Sequence, residues 1–353
     1  MAAVNVGASV QSAEFGFLTD ESVRKLSVVR IINNNLVDIT GRPVCGGLYD
    51  PSLGPYHDET CKTCGRGSHH CPGHYGHIDL LMPVYNPLLF KFLHNLLQRI
   101  CFTCHRLRIE GSRVEMGVKK LELISRGDIA GARRLDESLS SEVAPNLGDE
   151  VMSSHECGSS SGHPLEQQQQ WTPLQFTEAM KVLRTLLRPP LVERCGNCGA
   201  ACPRITSPSF GLFCMDGMSS ADISANVSPE YSEQRNMFSR NLLPSEVKNH
   251  IELFWEKEVQ FCSYLGDIQQ RGFGNKKAGS SMFFLQVVLV PPIKFRPPTR
   301  GGESVRDHPQ TVSLNKVLQS NIELLAAYLE KEHSKVVDKW WELQQSINVF
   351  FDS

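Results

Sequence analysis

No run of eighteen apolar residues occurs in the 353-residue chain, which excludes a membrane-spanning helix of ordinary length. Charge of one sign is lacking as well. The 36 Lys and Arg nearly balance 38 Asp and Glu, for a formal net charge of -2. No global field therefore draws this chain to nucleic acid, and any such contact has to come from a local patch. The start, "MAAVNVGASVQSAEFGF", has neither the basic opening nor the apolar middle of a secretory signal, and the expectation is an intracellular protein. Internal repeats are absent. With 41% hydrophobic and 21% charged residues the chain is not globally disordered and can bury one large core or two ordinary ones.

Cysteine is what the sequence has in quantity, 12 residues in all. In a reducing compartment disulfides are rare, and close C-x2-C spacings point to metal instead. The stretch "CKTCGRGSHHCPGHYGHIDL" supplies Cys61 and Cys64 as one pair and Cys71 and His74 as a second. Structural zinc takes four ligands on a tetrahedron, usually thiolates with an imidazole or two, so C-x2-C-x6-C-x2-H is a complete site. Four protein ligands close the coordination sphere, which argues against a catalytic zinc. His69 and His70 are assigned to the loop, and His77 to a supporting or bystander role.

Cys101 and Cys104 in "CFTC" need two partners. Cys195 and Cys198 in "ERCGNCGA" are candidates across ninety residues, but Cys195, Cys198, Cys202 and Cys214 can equally close a local site; spacing leaves both open. Cys45 and Cys262 read as lone buried thiols.

The organisation around these clusters is mixed. "LTDESVRKLSVVRI" predicts a helix opened by Thr19 or Asp20, with Val23, Leu26, Val28 and Ile31 to one side. "NPLLFKFLHNLLQRICFTC" predicts an amphipathic helix capped by Asn86, started by Pro87 and leading to Cys101, with His94 on its surface. Residues 135–170, rich in Ser, Gly, Gln and acid, predict a disordered insert. "WTPLQFTEAMKVLRTLLR" predicts a helix capped by Thr172, with Phe176, Met180, Leu183 and Leu187 as its apolar stripe. One helix is expected over "LPSEVKNHIELFWEKEVQFCSYL", a strand over "SMFFLQVVLV", and two more helices after "PPIKFRPPTRGGESVRD". That last segment is neither helix nor central strand, because its prolines lack donors.

These motifs carry a resemblance. "CKTCGRGSHHCPGHYGHIDL", then "PVYNPLLF", a helix and "CFTC", resembles the amino-terminal clamp of the largest subunits of DNA-directed RNA polymerases. "GGLYDPSLGP" and "NPLLFKFLHNLLQRICFTCHRL" are more similar to the polymerase I form than to II or III. "MFFLQVVLVPPIKFRPPTRGG", "HPQTVSLNKVLQSNIELL" and "WWELQQSINVFFD" continue the likeness in order. The resemblance implies an α+β fold, mainly helical and irregular, stabilised by zinc. It implies two structural ions, one at Cys61, Cys64, Cys71 and His74 and one at Cys101, Cys104, Cys195 and Cys198. It implies that about 290–307 is the lid, the loop that helps part RNA from template, with Lys294, Arg296, Arg300 and Arg306 set to meet phosphates.

The domain reading that follows is a leader over 1–18, a zinc-binding clamp head over 19–134, the insert over 135–170, and a clamp core with the second zinc half-site over 171–353. The implied partners are the second-largest and other polymerase subunits, the DNA template and the RNA–DNA hybrid; the implied place is the nucleus and nucleolus. The family carries its catalytic magnesium on an Asn-Ala-Asp-Phe-Asp-Gly-Asp motif that this sequence lacks, so the chain by itself is expected to be inactive, with magnesium belonging to the complete enzyme. A freestanding zinc-dependent module that binds nucleic acid or protein without enzymatic activity is the alternative.

Overall fold

The structure is a computed structural model that describes residues 18–57, 59–141, 171–188, 193–216, 240–269, 279–301 and 304–352. The expected leader and most of the expected insert, with Cys157, lie outside the described residues. The described residues form two compact units whose members interleave along the chain: 99–200 with 254–279, and 17–98 with 201–253 and 280–353. The division at 134 and 170 read from composition does not follow this packing, because cysteine pairing draws the flanks of the 135–170 stretch into one unit.

In the unit containing the amino-terminal elements, Thr19 caps α1 (Asp20–Leu26), its side chain accepting from the Ser22 N–H at 3.2 Å. The helix ends earlier than expected. Residues Ser27–Arg30 are strand β1, and Leu26 and Val28 are 49% and 44% exposed. The β-branched pair Val28–Val29 favours strand once a partner edge is present, and that edge is β2 (Tyr75–Tyr85). β1 pairs with β2 in parallel and β6 (Phe284–Val290) pairs with β2 antiparallel, with an irregularity between Asp79 and Val84. A second sheet joins β3 (Arg204–Ser209), β4 (Leu212–Asp216) and β5 (Arg240–Leu242). Asn86 caps a 3-10 turn at Pro87–Leu89, and α2 (Phe90–Leu97) follows, with Leu93, Leu96 and Leu97 buried. His94 is half-buried against the Ile205 carbonyl at 3.2 Å, not a ligand.

The core of this unit is aromatic. Tyr85 packs against Phe90, Phe213, Phe284 and Trp340 with centroids between 4.8 and 6.2 Å. Beyond the short ribbon β7 (Thr299–Gly301) and β8 (Ser304–Arg306), helices α8 (Pro309–Leu329) and α9 (His333–Asp352) form an antiparallel pair. Gln344 on α9 is fully buried and acts as a strand would: its side-chain oxygen accepts from the Tyr85 N–H at 2.8 Å and its amide donates to the Tyr85 carbonyl at 3.1 Å.

The other unit is helical. It holds α3 (Gly111–Ser125), α4 (Ile129–Ser141), α5 (Pro173–Leu187) and α7 (Val259–Gln269); α6 (Pro244–Lys257) precedes α7 where one helix was expected. α4 carries helix to 141, past the expected start of the insert. Thr172 and Gln175 form a capping box on α5. The buried stripe of α5 is Gln175, Ala179, Leu183 and Leu186, one position away from the expected Phe176, Met180 and Leu187. The rotation has its cause in the packing against α3. Gln175 donates to the Ile124 and Ser125 carbonyls at the end of α3, and Gly117 leaves room for Leu186, whose methyl would lie 2.4 Å from a Cβ there.

Candidate metal centres and the segment beside them

Three tight turns present the C-x2-C pairs, and they share one geometry. In each, the N–H of the first cysteine bonds the carbonyl five residues on, while its own carbonyl accepts from the N–H four residues on: Cys61 with Arg66 and Gly65, Cys101 with Arg106 and His105, Cys195 with Ala200 and Gly199. That closure puts the fifth residue at positive φ, 69° for Gly65, 55° for His105 and 72° for Gly199. Glycine meets this demand without strain at two of the turns, and His105 meets it in the left-handed region that histidine tolerates.

Folding brings two sets of four donors together. The donor atoms of Cys61, Cys64, Cys71 and His74 lie within 4.8 Å of one another, and so do those of Cys101, Cys104, Cys195 and Cys198. Cys64 Sγ is 3.5 Å from Cys71 Sγ; Cys101 and Cys104 are each 3.7 Å from a partner, Cys198 and Cys195 respectively. Thiolates about a zinc ion at ~2.3 Å would stand ~3.8 Å apart on a tetrahedron, so the donor sets fit the ion. His74 adds a second sign, since its Nε2 is buried with no hydrogen-bond partner. An orphaned ring nitrogen costs free energy unless something coordinates it.

Protons within the clusters are unevenly held. The adjacent His74 ring brings Cys64 down to about 6, whereas burial lifts Cys71 to about 11. At Cys101 burial works upward but is outweighed by the Cys104 and Thr103 N–H groups, leaving it at about 7; burial drives Cys104 well up. Such crowded sulfurs cannot all ionise unless a cation joins them.

Cys202 is half-buried, and Cys214 is buried on β4, hydrogen-bonded to Asn241 at 3.2 Å; neither enters a cluster. Cys262 is buried as expected. Cys45 is not: it is exposed, with Lys62 Nζ 3.5 Å from its sulfur. His69 and His70 are exposed on the loop, and His77 turns away to Ser27 Oγ at 2.7 Å.

The proline-rich segment lies against the first cluster. Gly73, at φ 86°, sits so close to Pro292 that a Cβ would come within 2.5 Å of the proline ring, and Lys294 Nζ reaches the Cys71 carbonyl at 3.4 Å. Gly73→Ala is accordingly expected to lower stability by roughly 2–4 kcal/mol, backbone strain and overpacking together, as read by thermal unfolding.

The four basic residues expected on phosphates are not alike. Lys294 is exposed beside Phe295, which is 60% exposed, and Arg306 is exposed on β8. The side chain of Arg300 lies outside the described residues. Arg296 is fully buried, and its place at a phosphate is corrected: the guanidinium donates to the Pro291 carbonyl at 2.9 Å, to Thr311 Oγ1 at 3.2 Å and to the Leu48 carbonyl, 5.8 Å over the Tyr49 ring. Burial lowers its pKa to about 10. Nothing in the local sequence distinguishes this arginine from Arg300; the burial comes from Leu48 and Thr311, far along the chain.

Among the described residues no helix is long and apolar enough to cross a membrane. Residues 8–353 match the model of a family described as RNA polymerase Rpb1, domain 1. The chain is 39% identical to the DNA-directed RNA polymerase I subunit 1 of Arabidopsis thaliana, over 99% of this chain and 24% of that protein. It is 27% identical to the DNA-directed RNA polymerase I subunit RPA190 of Saccharomyces cerevisiae, over 99% of this chain and 26% of that one. With the DNA-directed RNA polymerase subunit Rpo1N of Sulfolobus acidocaldarius the identity is 24%, over 98% and 31%. The chain thus spans about a quarter to a third of the length of these relatives.

Proposed function

This chain belongs to the RNA polymerase Rpb1 domain 1 family, and from that premise we propose that it forms the clamp portion of an RNA polymerase I largest subunit, gripping template and RNA–DNA hybrid during rRNA synthesis in the nucleolus. The observation that carries the reading is the family match over 8–353 together with the two four-donor sets that fold inside it. The ions are structural zincs, one at Cys61, Cys64, Cys71 and His74, the other at Cys101, Cys104, Cys195 and Cys198. Nucleotidyl transfer is proposed for the assembled enzyme, whose second-largest subunit is the partner of this chain. Capture of that subunit by the tagged chain supports the reading; failure to capture it, with nucleic-acid binding retained, favours a freestanding binding module.

Nucleic-acid contact is assigned to Lys294, just before the ribbon, and to Arg306 within it, with Arg300 on the facing strand. Each phosphate contact contributes about 0.9 to the slope of log affinity against log salt for duplex, and ~0.7 for single strands. Lys294→Gln with Arg306→Gln is therefore expected to weaken binding and flatten that slope by about 1.4–1.8. An unchanged slope removes both residues from the interface.

A further inference from the structure

The ribbon β7 and β8 leaves the fold on two feet, Arg296 before it and Asp307 after it, and both are held by one dipeptide. Arg296 donates to the Leu48 carbonyl, and the Tyr49 hydroxyl donates to Asp307 Oδ1 at 2.7 Å. Leu48 and Tyr49 are buried at 0% and 1%; the Arg296 bond is enclosed with them, whereas the Tyr49 hydroxyl reaches out to the exposed Asp307. Thr311, at the start of α8, completes the grip on Arg296.

That dipeptide is in turn fixed by the first four-donor loop. Asp50 follows it, buried, its carboxylate accepting from the Gly46 and Ser52 N–H groups at 2.6 and 2.8 Å. The next three residues are stitched to the loop: Lys62 N–H to the Pro51 carbonyl at 3.1 Å, Thr63 Oγ1 to the Ser52 carbonyl at 2.7 Å, and His74 N–H to the Leu53 carbonyl at 2.9 Å. A second path is direct, through Gly73 on Pro292 and Lys294 on the Cys71 carbonyl. The loop therefore touches the proline segment before its first foot and reaches both feet through Leu48 and Tyr49.

We propose that Tyr49 and Arg296 are positioning residues through which the Cys61–His74 metal loop holds strands β7 and β8 in place. The inference rests on reading that loop as a metal site. Four donors joined by one ion cross-link residues 61 to 74. Loss of the ion frees the loop, then the 51–53 strand of contacts, then the two feet. The ribbon carries Arg306, one of the residues assigned to nucleic acid, so the metal loop acts on that contact without touching it, while it touches Lys294 directly.

The test is amide hydrogen exchange over 297–307 in the full chain, with zinc content measured on the same samples. Tyr49→Phe keeps the ring and removes only the hydroxyl, and is expected to speed ribbon exchange about tenfold with zinc content unchanged. Arg296→Lys, which cannot reach three acceptors at once, is expected to do the same. Asp307→Asn keeps an oxygen acceptor and is expected to stay near the parent, while Asp307→Ala follows Tyr49→Phe. Cys64→Ser is expected to lose one ion and loosen the ribbon; Cys104→Ser is expected to lose the other ion and leave the ribbon protected. An unchanged ribbon in Cys64→Ser protein that has lost its ion overturns the coupling, as does equal loosening by Cys104→Ser. A parent chain without zinc at the first site refutes the metal reading itself. The anchor is then decided by Tyr49→Phe, where equal exchange overturns it and faster exchange upholds it.

Discussion

Serine in place of Cys101 is expected to cost the chain one zinc ion of two, and serine in place of Cys195 to cost it the same ion. Their donors stand in one set although 94 positions separate them, each 3.7 Å from a sulfur of the other pair. The double variant should therefore hold no less zinc than either single one. A site closed locally by Cys195, Cys198, Cys202 and Cys214 predicts instead that the Cys101→Ser protein keeps all its zinc. Elemental analysis separates the two outcomes.

The energetic consequence is large. A structural zinc is associated with about 10–16 kcal/mol of apparent binding free energy, against about 5–15 kcal/mol for the stability of a whole domain. In the unit built from 99–200 and 254–279 the two cysteine turns are tied through the donor set and through hydrogen bonds, among them Gly196 N–H to the Arg108 carbonyl at 3.1 Å and Asn197 to the Leu107 carbonyl at 2.6 Å. Either serine variant is expected to render this unit protease-sensitive at temperatures where the parent resists. The other unit, with its own donor set and aromatic core, should stay folded.

The second large effect is expected at Gln344, where leucine should lower stability by about 3 kcal/mol. Leucine matches glutamine in size but leaves the Tyr85 N–H and carbonyl unpaired inside a core of aromatic rings. A buried group stripped of its partner costs roughly 1–3 kcal/mol, and here there are two on one residue. Tyr85→Phe is the useful contrast. It removes one bond, from the hydroxyl to the Leu242 carbonyl at 2.9 Å, and is expected to cost about 1 kcal/mol. Urea unfolding followed by tryptophan fluorescence measures both, since Trp340 belongs to the same cluster. A Gln344→Leu cost no larger than that of Tyr85→Phe would mean that the Tyr85 backbone finds other partners.

Local chemistry was legible wherever neighbours in sequence do the work. Thr19, Asn86 and Thr172 cap as their side chains dictate, because a cap needs only the next two or three N–H groups. The two-residue cysteine spacing was equally readable, since a C-x2-C turn is closed by its own backbone. Harder to read were the stripe of α5, shifted by the reach of Gln175 to α3, and the strand at Ser27–Arg30, which exists because β2 offers an edge. Cys45 read as a buried thiol and is exposed, for burial of a lone cysteine depends on what folds over it.

By itself the sequence determined the family and the C-x2-C-x6-C-x2-H donor pattern of the first set, because these are written in short motifs whose meaning survives without coordinates. Spacing left Cys101 and Cys104 with two rival sources of partners; the resemblance pointed to Cys195 and Cys198, and only the tertiary structure brings those four donors within 4.8 Å of one another. It also separated arginines of one basic segment, sending Arg296 inward to Leu48 and Thr311 while Arg306 stays at the surface. The physical reason is the same in both cases. A side chain's partner is chosen by proximity in space, and where that partner lies tens or hundreds of residues away, no local pattern records it.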